Sequence, residues 1–272
     1  MADLLSVPIE IIVIDDASDS KFIEVNKQLE SLANQYHCLT QNIGRSGIRN
    51  RFQQYAKHEY CLFLDCDVMP AKDDFLSVYA KALQLSPMVM YGGRIFPVAP
   101  PDRNALLRWK YGSEIESKPA GVRNADPYRF FHSNNFLIRK SIFNQIQFDE
   151  SLTGYGYEDS LLSYQLQEAG ITVMHVDNPV LNLQIESTET YLGNIDESLQ
   201  TLAAIREKYD IGRIVRLAKL FDQYKWLMSL MPVGLARSIR AKLLKGSLNL
   251  RMLQLYKLLR YKAALTDKRL HA

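Results

Sequence analysis

Two aspartates with one residue between them end an apolar run, Tyr60-Cys61-Leu62-Phe63-Leu64-Asp65-Cys66-Asp67-Val68-Met69-Pro70. A short apolar run stopped by a polar breaker is the pattern of a strand inside a parallel sheet. Open α/β sheets bind ligands beyond the carboxyl ends of such strands. Side chains two residues apart on a strand share a face, so Asp65 and Asp67 are expected to meet one cation. Hard carboxylate oxygens suit Mg2+ or Mn2+, which commonly take substrate phosphates as further ligands. An acidic pair at a strand end fits a solvated turn or a helix cap equally well, and both readings stand at this point.

The elements that must position this pair alternate along the chain. Ile9-Glu10-Ile11-Ile12-Val13-Ile14 is a β-branched run that ends in Asp15-Asp16-Ala17-Ser18, a turn able to cap a helix. Apolar positions Phe22, Val25, Leu29 and Leu32 predict a helix over 21–36. His37 to Thr40 fits a short strand, and a helix over 48–57 follows the loop Gln41 to Gly47. Further helices are expected over 73–85, 140–145, 158–169 and 188–209, and strands over 88–96, 130–138 and 171–176. The segment 97–126, with Pro97, Pro100, Pro101 and Pro119, reads as a long surface excursion. Alternating strands and helices imply an α/β fold built on a parallel sheet.

Composition bounds the class. The 272 residues, 47% hydrophobic and 23% charged, describe an ordinary globular chain. Three cysteines, Cys38, Cys61 and Cys66, give neither a disulfide framework nor zinc spacing and point to a reducing compartment. No apolar run reaches the length of a spanning helix, and Met1 to Val7 lack the basic start and apolar core of a signal peptide. Charge is asymmetric. Residues 1–204 carry 17 Lys and Arg against 26 Asp and Glu, whereas residues 205–272 carry 16 against 4. This predicts a domain over 1–204 and a basic helical tail over 205–272. From 211 to 262 cations interleave with Leu, Trp, Tyr and Phe, as in helices that lie on an anionic membrane surface. Helices packed on the domain with a solvated basic face fit the same pattern. No nucleic-acid motif accompanies the charge, so no nucleic-acid partner is expected.

Four stretches in order resemble the family 2 type of glycosyltransferase with the GT-A fold. They are Glu10-Ile11-Ile12-Val13-Ile14-Asp15-Asp16-Ala17-Ser18, Asn42-Ile43-Gly44 through Arg49-Asn50, Leu64-Asp65-Cys66-Asp67, and Phe148-Asp149-Glu150 through Gly154-Tyr155-Gly156-Tyr157-Glu158-Asp159. The resemblance covers roughly residues 9–176. It implies a Rossmann-like, mixed but mostly parallel sheet flanked by helices, with the basic helices as an appendage. It implies transfer of a sugar from a nucleotide diphosphate donor, UDP ahead of GDP, to a hydroxyl of a glycan or lipid-linked acceptor, with inversion at the anomeric carbon. A divalent cation, Mn2+ or Mg2+, would neutralise the leaving diphosphate.

Residue by residue, the resemblance makes Asp67 the direct metal ligand and Asp65 a ribose or water-mediated metal contact. Asp16 is similar to the base-contacting aspartate and Arg49 to the diphosphate-binding arginine. A helix cap for Asp16 and a solvated helix position for Arg49 are the plainer alternatives. Asp159 matches the general base and Glu158 an acceptor-binding or orienting carboxylate, although acidic residues also favour a helix's first turn. Tyr155, Tyr157, His132 and Asn134 fall where the acceptor is bound. Asn182 stands where a family histidine, when present, completes the metal site. Family members open with a strand and a Pro-x-Tyr-Asn-like turn before the first helix. Met1-Ala2-Asp3-Leu4-Leu5 resembles the end of that helix, so the first strand is expected to be missing. The function implied is surface-glycan synthesis in the cytoplasm, peripheral at the inner face of the cell membrane. The alternative is a non-catalytic paralogue serving as a membrane-associated scaffold or partner subunit. A nucleotidyltransferase would need a Gly-rich phosphate loop after the first strand, and none is present.

Overall fold

The computed structural model of the protein describes residues 7–100, 102–232 and 234–269. The expectation placed on Met1 to Leu5 lies outside them, as do the last residues of the expected tail. In chain order the elements are β1 (Ile12–Asp15), α1 (Ser20–Lys27), β2 (Gln35–Cys38), α2 (Gly44–Tyr55), β3 (Tyr60–Leu64), β4 (Val68–Pro70), α3 (Phe75–Ala82), β5 (Val89–Tyr91) and β6 (Arg94–Ile95). Then come α4 (Leu106–Tyr111), α5 (Ala120–Asn124), β7 (Asn135–Arg139), α6 (Lys140–Phe143), α7 (Glu158–Glu168), β8 (Val173–His175) and β9 (Val180–Asn182). The remainder is helical: α8 (Thr188–Lys208), α9 (Arg216–Gln223), α10 (Lys225–Leu230), α11 (Leu235–Leu244) and α12 (Leu250–Arg269).

The sheet is mixed, as expected, but with three parallel and three antiparallel strand pairings it lacks the expected parallel majority. Its centre has the order β3-β7-β5-β8, with β7 antiparallel to both neighbours and β8 parallel to β5. Every residue of β5 is buried, because helices cover both faces. Phe63 stacks on Phe136 at 4.7 Å across the β3–β7 pair, and Leu162 and Leu166 of α7 close the same cluster. The expected strand over 88–96 is split at Gly92-Gly93. Gly93 has φ +96, and a Cβ at Gly92 would collide with Asn135 and the Tyr79 hydroxyl. The break sends β6 into a second sheet, β4-β9-β6. A third pair, β1 with β2, stands apart, and both β1 and β3 turn an edge toward one cleft lined by Ile11 to Ile14 and Tyr60 to Leu64.

Three expectations are corrected. The helix expected over 21–36 ends as α1 and a 3-10 turn, Gln28–Ser31, because β2 takes Gln35 and Tyr36 into the pair with β1. The segment 97–126 is not a surface excursion. Pro119 lies between the turn Gly112–Glu116 and α5, while Ala105, Leu107, Ala120 and Arg123 are buried. The boundary at 204/205 falls inside α8. Leu161 and Tyr164 of α7, Tyr191 and Leu202 of α8, and Leu253 and Leu259 of α12 share one core. The charge shift marks a change of surface and not a change of core. Several basic groups of α12 even point inward: Lys257 stacks on the Tyr111 ring at 3.8 Å, Arg260 donates to Asp196 at 2.8 Å, and Lys262 donates to the carbonyls of Met228 and Met231. Among the described residues no helix is long and apolar enough to cross a membrane.

Candidate active site

A cleft of about 2000 Å³ collects Arg49, Asp65, Asp67, His132, Asn134, Tyr155, Tyr157, Glu158, Asp159 and Asn182. That volume exceeds an ordinary small-molecule pocket of about 300–1,000 Å³ because the cleft runs on between the edges of β1 and β3. Asp65 and Asp67 do not sit on a strand face. β3 stops at Leu64, and the acidic pair forms the turn into β4. Pairing of β3 with β7 and of β4 with β9 fixes both ends of the turn: the Asp65 amide donates to the Asn134 carbonyl, and the Leu183 amide donates to the Asp67 carbonyl. The second contact brings β9, and with it Asn182, beside the acidic turn.

Arg49, on α2, bridges two of the acidic segments. Its guanidinium lies 2.9 Å from Asp65 and 3.4 Å from Glu158. Next to it the buried Asn50 binds the Phe148 backbone at both its amide and carbonyl, and also Glu150. Asn50 thereby clamps the segment leading to α7, a positioning role that residue type alone does not reveal. The turn before α7 is tightly wound: Gly156 has φ +81 and Tyr157 φ +65. A non-glycine residue in this region is strained, which is characteristic of functional turns. It aims Glu158 and Asp159 into the cleft. Tyr157 borders the cleft, but its ring packs on the helical core. Tyr155 stacks under Arg45 at 4.2 Å, and Arg45 lies 4.0 Å from Glu158.

The two carboxyls of α7 are driven apart. Burial and the neighbouring Asp159 charge raise Glu158 above the usual range, outweighing Arg49 and Arg45. Burial also opposes the Asp159 charge, but contact with His132, helped by Arg94 and Arg49, holds that carboxyl low. His132 Nδ1 lies 3.0 Å from Asp159 Oδ2. Behind them Glu116 is gripped by Arg94 at 3.0 Å and Arg108 at 3.1 Å, and these arginines overcome burial to hold it at about 2. Sequence reading missed this triad because its members come from β6, α4 and a π-helical turn, Gly112–Glu116.

Polar atoms without protein partners gather beside the acidic turn. Among the described residues the Asp67 carboxylate has no hydrogen bond or ion pair, and Asn182 Oδ1 and Asn134 Nδ2 are buried without a partner. Two carboxylates and an orphaned amide oxygen are a hard-oxygen set that fits Mg2+ or Mn2+. Asp16 is placed otherwise. Its oxygens accept from the Ile43 and Gly44 amides at 2.8 and 3.0 Å, which ties down the start of α2, and it is not among the cleft-lining residues. His175 is buried, with one ring nitrogen against Arg123 and the other against the Pro127 carbonyl.

Comparison with known proteins follows the same lines. Residues 2–147 match the sequence model of the family described as Glycosyl transferase family 2. Chondroitin synthase of Escherichia coli is 24% identical over 193 residues, which is 59% of this chain and 28% of that protein. Hyaluronan synthase of Pasteurella multocida is 25% identical over 201 residues, 62% of this chain and 21% of that protein. The chain thus spans about a quarter of the length of these relatives. In fold, it resembles the mannosyltransferase PcManGT of Pyrobaculum calidifontis, solved with GDP-Man and Mn2+, with a TM-score of 0.57 and 14% identity over 98% of this chain and 80% of that one. It also resembles S. aureus TarS 1-349, solved with UDP-GlcNAc, with a TM-score of 0.52 and 14% identity over 98% and 85% of the two chains.

Proposed function

The chain belongs to glycosyl transferase family 2 and has a GT-A-like mixed α/β fold, and on that premise we propose that it is an inverting, metal-dependent transferase of sugars from nucleotide diphosphate donors. The observation that carries this reading is the convergence on one cleft of an acidic turn with unpaired oxygens and a second carboxylate pair, bridged by Arg49. Asp67, with its free carboxylate, takes the divalent cation directly. Asn182 adds its orphaned amide oxygen, and Asp65, already held by Arg49, reaches the ribose or the metal through water. Held by these residues, Mn2+ or Mg2+ would supply positive charge to offset that of the departing diphosphate. Asp16 holds the loop through which α2 approaches the donor, and by family likeness also contacts the nucleobase. UDP is preferred over GDP. The two neighbours described above were solved with GDP-Man and UDP-GlcNAc, so that pair does not favour either base.

On the acceptor side, Asp159 serves as general base, Glu158 binds or orients the acceptor, and His132, with Nδ1 3.0 Å from Asp159, lines the acceptor site. Asn134 and Tyr155, the latter stacked under Arg45, bind the sugar acceptor, and Tyr157 holds the turn. The acceptor is a hydroxyl of a glycan or lipid-linked saccharide in surface-glycan synthesis. The likeness to polysaccharide synthases supports this class. We place the enzyme at the cytoplasmic face of an anionic membrane, met by part of the region 211–262. Trp226 is 67% exposed and Leu230 73% exposed on α10, beside Lys225. Release of nucleoside diphosphate from UDP-GlcNAc and GDP-mannose, with Mn2+, tests the reading. Asp67→Ala is expected to lower release by about 10²–10³-fold. Equal release by the wild type and the variant contradicts it and favours the scaffold alternative or a different site.

A further inference from the structure

Two arginines on α2 enter the cleft one turn apart, and only one of them is fully engaged. Arg49 is held by Asp65 at 2.9 Å and by Glu158 at 3.4 Å. Arg45 has a single ion pair among the described residues, to Glu158 at 4.0 Å, and its side chain is 53% exposed. The carboxylates near it already have other partners. Glu158 has Arg49, Glu186 has Arg108 at 3.5 Å and the Asn194 amide, and Glu197 accepts the Tyr155 backbone N–H at 3.0 Å. Of the two arginines only Arg49 reaches Asp65, so Arg45 stands with Tyr155 and Glu158 and not with the acidic turn.

The ring under Arg45 is fixed in place. Tyr155 is tied to α8 by Glu197 at its amide and by the Thr201 hydroxyl, which donates to its carbonyl at 3.1 Å. Glycines flank it because α8 leaves no room: a Cβ at Gly154 would meet Thr201 Oγ1 at 2.5 Å, and one at Gly156 would meet Ser198 at 2.9 Å. A guanidinium laid over an immobile ring, 4.2 Å from its centroid, loses less freedom when it binds. Such a fork matches a carboxylate or a phosphate through two parallel hydrogen bonds. A carboxylate brings one charge for one guanidinium, whereas the second charge of a phosphate would face Glu158 without a partner.

Resting on the transferase reading, we propose that Arg45, over Tyr155, selects an acidic acceptor by pairing with the carboxylate of a uronic sugar in the acceptor glycan. Glu158 then keeps Arg49 as its partner while the long contact to Arg45 gives way to the ligand.

NMR titrations on the full chain test this, with Mn2+ and whichever of UDP or GDP raises the melting temperature. The probes are methyl glycosides of glucuronic, galacturonic and mannuronic acid, each paired with its neutral counterpart, the methyl glucoside, galactoside or mannoside. At least one uronoside is expected to bind about tenfold more tightly than its neutral partner, with the margin shrinking as salt rises. In Arg45→Gln the margin should fall below about threefold, with Arg45→Lys in between, while the unliganded melting temperature and the stabilisation by nucleotide stay at wild-type values. No preference for any uronoside, or a preference that survives in Arg45→Gln, overturns the proposal. Loss of nucleotide stabilisation in Arg45→Gln also overturns it, because Arg45 would then serve the donor diphosphate. If neither nucleotide stabilises the wild type, the transferase reading itself fails and the proposal falls with it.

Discussion

The cleft and the C-terminal helices use the same residue types and treat them in opposite ways. In the helices Asp196 accepts the Tyr256 hydroxyl at 2.7 Å and Arg260 at 2.8 Å, and Lys262 closes the end of α10 by donating to its carbonyls. In the cleft Asp67, Asn182 Oδ1, Asn134 Nδ2 and His132 Nε2 have no partner among the described residues. The contrast is not absolute, since the Tyr191 hydroxyl is buried and unpaired in the helical core. A buried polar atom left unpaired costs about 1–3 kcal/mol. Charge in the helices therefore holds the fold, whereas the cleft keeps bonding capacity for a ligand to complete.

Substitutions that exchange these characters test the contrast. The largest effect is expected at the boundary, in the Arg94–Glu116–Arg108 triad. Glu116→Ala leaves two largely buried guanidinium groups with a lost partner and should cost about 3–5 kcal/mol in urea unfolding. A cost below about 1 kcal/mol would remove the triad from the supporting structure. The same group gives a pH signature. Its carboxyl is depressed to about 2 in the fold, so its contribution is present above the ordinary value of 4.5 and is lost as pH falls toward 2. His175 acts in a higher window. Burial lowers it from 6.5 to about 4, so the unfolded chain binds its proton first and stability declines as pH falls between those values. Urea midpoints from pH 7 to pH 3 should show both, with the upper slope flattened in His175→Gln.

Next in size is Asp196→Ala, which strips Tyr256 and Arg260 together and should cost about 1–3 kcal/mol. Nucleotide affinity should not move, and a parallel loss of affinity would erase the distinction between the two regions. Asn182→His sharpens it from the other side. Imidazole is the better Mn2+ ligand, so the Mn2+ midpoint for nucleotide stabilisation should tighten by about tenfold with little change in the unliganded melting temperature. The smallest stability effect is expected at Trp226→Ala, within about 0.5 kcal/mol. Sedimentation with phosphatidylserine-containing liposomes should nevertheless fall. Unchanged sedimentation would remove α10 as the membrane contact. Deleting residues 211–272 is no fair test, because Leu253, Tyr256 and Leu259 are in the shared core.

What could be read in the sequence was local. The β-branched run before Asp15-Asp16, the apolar run before Asp65 and the acidic start of α7 each carry their own pattern, and they appear as β1, β3 and α7. The same locality explains the misreadings. Local pattern puts Asp65 and Asp67 on a strand face, but β4 turns away to pair with β9, Val68 standing opposite Asn182, 114 residues on, a pairing no local pattern announces. The segment 97–126 is rich in proline, yet its short helices are fixed by Glu116 and by the Trp109 ring donating to the Pro97 carbonyl. The basic stretch signalled a free surface because charge is visible in sequence, whereas the aromatic rings, carboxylates and carbonyls that engage Lys257, Arg260 and Lys262 are not adjacent to them. His132 and Asp159 likewise meet only once β7 and α7 pack.

The most direct test of the central claim is thermal stabilisation by UDP and by GDP, with and without Mn2+, on the wild type and on Asp67→Ala. The account predicts a Mn2+-dependent rise in melting temperature with one nucleotide, abolished in Asp67→Ala, while the unliganded melting temperatures agree. Stabilisation that persists in Asp67→Ala, or none with either nucleotide, would contradict it.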